Sequence, residues 1–340
     1  MTKGTGLGAR NRGLGAGGAG RGPEGPEHAG TPLLKWVGGK RQLLPRLRRF
    51  YPASFRRYIE LFFGSGAVFF DLHASGRLAG HDVVLVDSNA DLIGCYEAVR
   101  DEPDAVAASL AALAAAHAEG GRAHYYAVRD AGFNPLRDRL RGDDGRIAYT
   151  PELAAMLIYL NRTGYNGLFR LNARGGFNVP AGRYDRPKIA DRAKIARVAG
   201  ALGGERVRLE LGSFERAAER AEAGDFLYID PPYAPISRTS NFTAYTTPRF
   251  GADDQRRLQE VVIGLARRGC RVLLSNSTAP EIAALYDGNA QARAAGLRAL
   301  RVPARRAINS NGARRGPVAE YLITNIEESE ARDAPTATSR

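Results

Sequence analysis

Cysteine is scarce in this chain: two in 340 residues, Cys95 and Cys270, which stand 175 positions apart. Neither a disulfide framework nor a C-x-x-C metal or redox pair can be built from them, and a reducing cytoplasm is the expected setting. Long apolar runs are missing as well. No window approaches 18 consecutive apolar residues and the N-terminus has no hydrophobic core segment, so neither a membrane span nor a secretory signal can be read. Acidic residues are the minority charge, 36 against 49 Lys plus Arg, which leaves a formal charge of +13 and favours a polyanionic partner. The first 30 residues hold 11 of the 40 glycines and almost no large apolar side chain, and the tail from Glu327 is equally poor in them. Both are expected to be flexible, because too little surface can be buried to offset ordering. The leader is net +2 and the tail net −2, so the surplus charge belongs to residues 31–326.

What remains has enough apolar residues, 44% of the whole, for a buried core. Short apolar runs end in polar residues or glycine: Tyr58 to Phe63, Val83 to Val86, Phe226 to Ile229 and Val272 to Leu274. These are predicted strands buried on both faces. Helical patterns lie between them at Ala67 to Leu72, Ala105 to Ala118 and Asp253 to Arg268, the last closed by Gly269. Alternation of this kind indicates an α/β sheet. Residues 101–199 break it, offering one convincing apolar helix, Pro151 to Leu160, then a loop rich in Asn, Arg and Gly. The stretch is expected to be a mainly helical insertion between two halves, 31–100 and 200–326, of one parallel sheet.

Two strand ends carry chemistry. Phe62-Phe63-Gly64-Ser65-Gly66 closes the first run and opens a helix, a turn where glycine lets backbone approach a ligand and the helix N-terminus offers free N–H groups. Asp87, directly after the next run, is placed to accept ribose hydroxyls. The spacing is not G-x-G-x-x-G and no Walker lysine follows, so NAD and ATP fit less well than another adenosyl ligand. The second end is Asp230-Pro231-Pro232-Tyr233. Two prolines remove backbone donors and stiffen the loop, leaving carbonyls and a carboxylate to accept N–H groups beside an aromatic face. That set suits an exocyclic amine on a heteroaromatic ring, a poor nucleophile with two donors to place. Both cysteines follow glycine, unlike the proline-preceded nucleophile of C5-cytosine methyl transfer, and the H-x-E and P-C-x-x-C set of zinc deaminases is absent.

Leu34-Lys35-Trp36-Val37-Gly38-Gly39-Lys40-Arg41, the Phe62–Gly66 turn, Asn161 through Arg170, Asp230–Tyr233, Ser240-Asn241-Phe242, Leu274-Ser275-Asn276-Ser277 and Ile308-Asn309-Ser310-Asn311 together resemble the DNA adenine methylase type of site-specific adenine-N6 DNA methyltransferases. The order is the family's, and the match spans almost all of residues 31–326. Leu61 departs from the proline common before the glycine turn, and Ala319 from an asparagine common near the last strand. The resemblance implies a Rossmann-like S-adenosylmethionine-dependent sheet, with S-adenosylmethionine the methyl donor and no metal. It places Trp36, Lys40, Phe62, Gly64, Gly66, Asp87 and Asp230 around that donor, and Asp230, Pro231, Pro232 and Tyr233 at a flipped adenine. Tyr165, Asn166, Leu168 and Arg170, a mixture of aromatic, amide, apolar wedge and cation, would enter double-stranded DNA. Arg301, Arg305, Arg306, Arg314 and Arg315 flank a polar loop that could follow its backbone. A monomer is expected, with any cognate restriction endonuclease acting independently. The N4-cytosine analogue of the reaction and a DNA-binding regulator without catalysis are the alternatives.

Overall fold

A computed structural model describes residues 31–36, 38–234, 250–305 and 317–328. Its frame is a seven-stranded sheet with the spatial order β3-β2-β1-β4-β5-β7-β6. The strands are β1 (Arg57–Glu60), β2 (Asp82–Asp87), β3 (Val207–Leu211), β4 (Phe226–Ile229), β5 (Arg271–Ser277), β6 (Arg298–Arg305) and β7 (Pro317–Thr324). The first five run parallel, and β7 lies antiparallel between β5 and β6. Chain order reverses between β1 and β4, so a crevice opens beyond their carboxyl ends, the usual ligand position in an open parallel sheet.

Side chains of the central strands alternate between two cores, as the two-residue period of a strand requires. Tyr58, Val83, Leu85 and Tyr228 belong to one; Ile59, Val84, Val86, Leu227 and Ile229 belong to the other. Among the helices are α1 (Leu44–Leu47), α2 (Ala67–Ala74), α3 (Ala90–Asp101), α4 (Pro103–Ala127), α5 (Asn134–Arg139), α6 (Pro151–Thr163), α7 (Arg192–Leu202), α8 (Phe214–Glu219) and α9 (Ala252–Arg267). α9 covers the second core with Leu258, Val262 and Leu265. The middle segment shares the first core, contributing Tyr125, Phe133, Tyr159 and Phe177.

The predicted strands and helices are present, with shifted ends. β1 stops at Glu60, and Phe63 N–H instead bonds the Val86 carbonyl at 2.8 Å. The middle segment is more helical than its sequence advertised. α4 runs beyond Ala118 with a break at Gly121 (φ 48°). α7 buries Ile195, Val198, Ala199 and Leu202, a 3.6-residue pattern hidden by its small and basic neighbours. β3 was also missed, because Val-Arg-Leu-Glu-Leu alternates at an edge and carries no continuous apolar run.

Candidate active site

The carboxyl ends of β1, β2 and β4 open into one cavity of about 670 Å³, lined by both strand-end motifs. The glycine turn forms its floor. Gly64 and Gly66 have φ of 50° and 71°. A Cβ at Gly66 would lie 2.4 Å from the Phe63 ring, and one at Gly64 would lie 3.3 Å from Trp36 Cδ1, so this close approach needs glycine. Phe62 also faces the cavity and stacks on Phe214 with ring centres 5.3 Å apart. Asp87 accepts the Gly64 N–H at Oδ2 and the Asn89 N–H at Oδ1, both at 2.9 Å, which fixes the carboxylate and still leaves lone pairs for a ligand. Burial raises its pKa, against the pull of the backbone donors.

Across the cavity, Asp230 follows β4. Its Oδ1 receives the Lys40 ammonium at 2.9 Å and the Ser275 hydroxyl at 3.0 Å. Burial lifts the Asp230 pKa while the Lys40 charge opposes the shift. Lys40 itself is almost fully buried; it also donates to the Gly38 carbonyl at 2.5 Å and lies 4.5 Å from the centre of the Tyr233 ring. Tyr233 donates its hydroxyl to Glu320 at 2.7 Å. The two proline carbonyls differ: Gln255 Nε2 donates to that of Pro232 at 2.9 Å and is itself braced by Asn276, whereas among the described residues none donates to that of Pro231.

Glu60 was missed by the sequence reading. It ends β1 inside the cavity wall, 2% exposed, and accepts the Tyr58 hydroxyl at 2.7 Å. Burial raises its pKa well above the ordinary carboxylate range. The available signal was one acid inside the run Tyr58 to Phe63, directly before the glycine turn. With it, Glu60, Asp87 and Asp230 face a cavity to which Lys40 brings the cation among the described residues. Burial disfavours the ionised form of these three carboxyls, and a cationic ligand beside them would offset that penalty.

The segment after α6 meets this cavity through one short stretch of chain. Asn161 accepts the Lys35 N–H at 2.8 Å and donates to the carbonyls of Lys35 at 2.7 Å and Gly167 at 2.9 Å. A Cβ at Gly167 (φ 63°) would come within 2.5 Å of Lys35 Cβ. Trp36, on the cavity wall, stacks on Phe169 with ring centres 5.8 Å apart. The loop therefore stands at the cavity mouth. Tyr165 is 45% exposed, and Asn166 beside it adopts a left-handed φ of 54°. Leu168 packs half-buried against the core, so the exposed apolar side chain is Tyr165. Arg170 is exposed and donates from Nε to Asn178 Oδ1 at 2.7 Å.

Ser240-Asn241-Phe242, Ile308-Asn309-Ser310-Asn311, Arg306, Arg314, Arg315, Val37, the leader and the tail beyond Glu328 lie outside the described residues. Arg301 is described, and its guanidinium donates to the Tyr321 hydroxyl at 3.0 Å. No helix among the described residues is long and apolar enough to cross a membrane, and none of their His, Cys, Asp and Glu side chains group as a metal site.

Residues 36–302 match the family described as D12 class N6 adenine-specific DNA methyltransferase. The chain is 37% identical over 297 residues to Type II methyltransferase M1.LlaDCHI of Lactococcus lactis subsp. cremoris, covering 86% of this chain and 95% of the relative. It is 36% identical over 305 residues to Type II methyltransferase M.MjaIII of Methanocaldococcus jannaschii, covering 86% and 98%. Against DNA adenine methylase of Escherichia coli K12 it is 35% identical over 290 residues, covering 85% and 93%. Strand ends, loop and length thus agree with one assignment: the chain belongs to the D12 class of N6 adenine-specific DNA methyltransferases.

Proposed function

We propose that one copy of the chain suffices for methyl transfer to adenine N6 in duplex DNA, with residues 31–100 and 200–326 forming the catalytic part and 101–199 reading the target. The observation that carries this is the shared stretch Lys35–Trp36, which supplies the cavity wall and also the seat of the exposed Tyr165–Arg170 loop. S-adenosylmethionine, when bound, supplies a methyl group on a positively charged sulfonium. The residues present fit it: glycine turn and Trp36 for close approach, Asp87 for ribose hydroxyls, Glu60 and Asp230 for positive charge.

A base inside a duplex cannot reach this cavity, so the adenine is rotated out. Tyr165 and Asn166 then occupy the opened step and Arg170 braces its phosphates, while Leu168 seats the loop against the core. Asp230 and the Pro231 carbonyl accept the two N–H bonds of the amine, drawing its lone pair out of conjugation and toward the methyl carbon. Tyr233 stacks the ring, which requires the Lys40 ammonium to leave its place above that ring. S-adenosylmethionine, if held beside Asp230, would supply the methyl carbon to that lone pair, and the Asp230 carboxylate or water would take the proton the amine gives up. Proximity and orientation supply most of the rate, since the electrophile is already activated. We place the reaction in the cytoplasm, where chromosomal DNA is accessible.

The test is incubation of the protein with duplex DNA and labelled donor, followed by digestion to nucleosides and mapping of modified positions. N6-methyladenine at a fixed sequence is the expected product; N4-methylcytosine would overturn the base assignment and leave the fold untouched.

A further inference from the structure

One buried ion pair joins the middle segment to the cavity end of the sheet. Arg137 on α5 and Asp91 on α3 are each 2% exposed. The guanidinium meets the carboxylate as a fork, Nε to Oδ1 at 2.6 Å and Nη2 to Oδ2 at 2.7 Å, and Tyr149 adds its hydroxyl to Oδ1 at 2.9 Å. The remaining nitrogen, Nη1, donates to the Gly175 carbonyl at 2.8 Å.

Each end of this tether leads to a different candidate ligand. Asp91 N–H bonds the side chain of Asn89, the cap of α3; Asn89 lines the cavity, and its own N–H holds Asp87 Oδ1. Gly175 sits in the turn of the hairpin that pairs Leu171 with Phe177 and carries Arg170 at its start. Asn134, one helical turn before Arg137, holds Phe177 in both directions, at 2.8 and 3.1 Å. α5 is thus a strut with two grips on the hairpin and one on the cap region of α3. The contact is close: a Cβ at Gly94 of α3 would lie 2.6 Å from the Tyr149 ring. A pair that merely filled space could be apolar at similar stability. The third donor bond, to a carbonyl of the hairpin, is what an apolar pair could not make.

We propose that Arg137 is a positioning residue that links order at the cofactor end of α3 to order in the 170–178 hairpin. Filling the cavity with S-adenosylmethionine stiffens the hairpin and raises affinity for DNA, and DNA raises affinity for the cofactor by the same factor. The inference rests on the proposed cofactor cavity and DNA-facing loop.

Hydrogen exchange on the full chain without DNA tests it. Calorimetry first establishes that the cavity fills; a protein that binds no S-adenosylmethionine sinks the cavity reading and this inference together. With cofactor bound, amides of residues 170–178 should exchange more slowly in the wild type, and unchanged exchange there overturns the inference alone. Arg137→Met should abolish the added protection. Arg137→Lys, which keeps the charge without the fork, should not restore it. Asp91→Asn combined with Arg137→Met removes both buried charges, and so serves if the single variant does not fold. Fluorescence anisotropy with duplex DNA should show a cofactor-dependent gain of about 5- to 150-fold in the wild type, falling to within about twofold in the variants. A full gain in a folded variant refutes the role. Loss of DNA binding on Arg170→Ala is a separate readout of the loop reading.

Discussion

At the strand ends Glu60, Asp87 and Asp230 are withdrawn from water and held by backbone and side-chain donors, whereas Tyr165, Asn166 and Arg170 stand in it. The first group is rigid because parallel strands fix its Cα positions, and its charges are costly enough to shift pKa values. The second group sits on a loop whose shape depends on Asn161 and on the left-handed Asn166. A site that must orient a small electrophile needs pre-organisation. A surface that must meet a deformable polyanion needs exposed charge and a wedge. The two regions therefore fail differently when altered, and substitutions can separate them.

The largest separation is expected from Asp230→Ala. Transfer should fall by at least about 10²- to 10³-fold while duplex binding, read by anisotropy, stays near wild type. Equal losses in both would mean that Asp230 acts through folding. Asn161→Ala should be next, because it strips partners from the Lys35 and Gly167 backbone where the two regions join. A loss of about 1–3 kcal/mol in chemical denaturation is expected, together with weaker DNA binding. Arg170→Ala should cost about 1–3 kcal/mol in binding to the recognised duplex and leave calorimetric affinity for S-adenosylmethionine unchanged.

Glu60→Gln gives the smallest effect and sharpens the electrostatic half of the contrast. The folded-state pKa of Glu60 lies well above its ordinary 4.5, so the stability tied to its protonated form is complete below 4.5 and is lost as pH rises through the folded value. Glutamine removes that loss. The variant should melt higher than the wild type at pH 8 by more than at pH 4, in paired thermal scans, and bind the cationic cofactor more weakly. A difference in melting that does not grow with pH would assign Glu60 no buried charge.

Much of the site was legible because its residues are close in sequence. A glycine turn, an acid after a strand and a doubly proline-stiffened tetrad are local features, and each lies where a strand ends. Glu60 was not, since an acid in an apolar run looks like a defect until β1 is seen to end there. Lys40 was expected beside the cofactor, and its contacts with Asp230 and Tyr233 needed two distant parts of the chain brought together. The same holds for Arg137, whose partners at Asp91 and Gly175 lie 46 and 38 positions away.

The amino-acid order by itself determined where the buried strands β1, β2, β4 and β5 lie, where their motifs stand, and that the folded part is basic, because hydrophobic period, turn chemistry and charge are properties of neighbouring residues. Only the tertiary structure decided that Glu60 joins the glycine turn and Asp230 in their cavity, that Pro232 and not Pro231 has its carbonyl taken by Gln255, and that Tyr165 rather than Leu168 faces outward. Those facts depend on which distant surfaces exclude water from one another, and burial of that kind is a property of the packed chain.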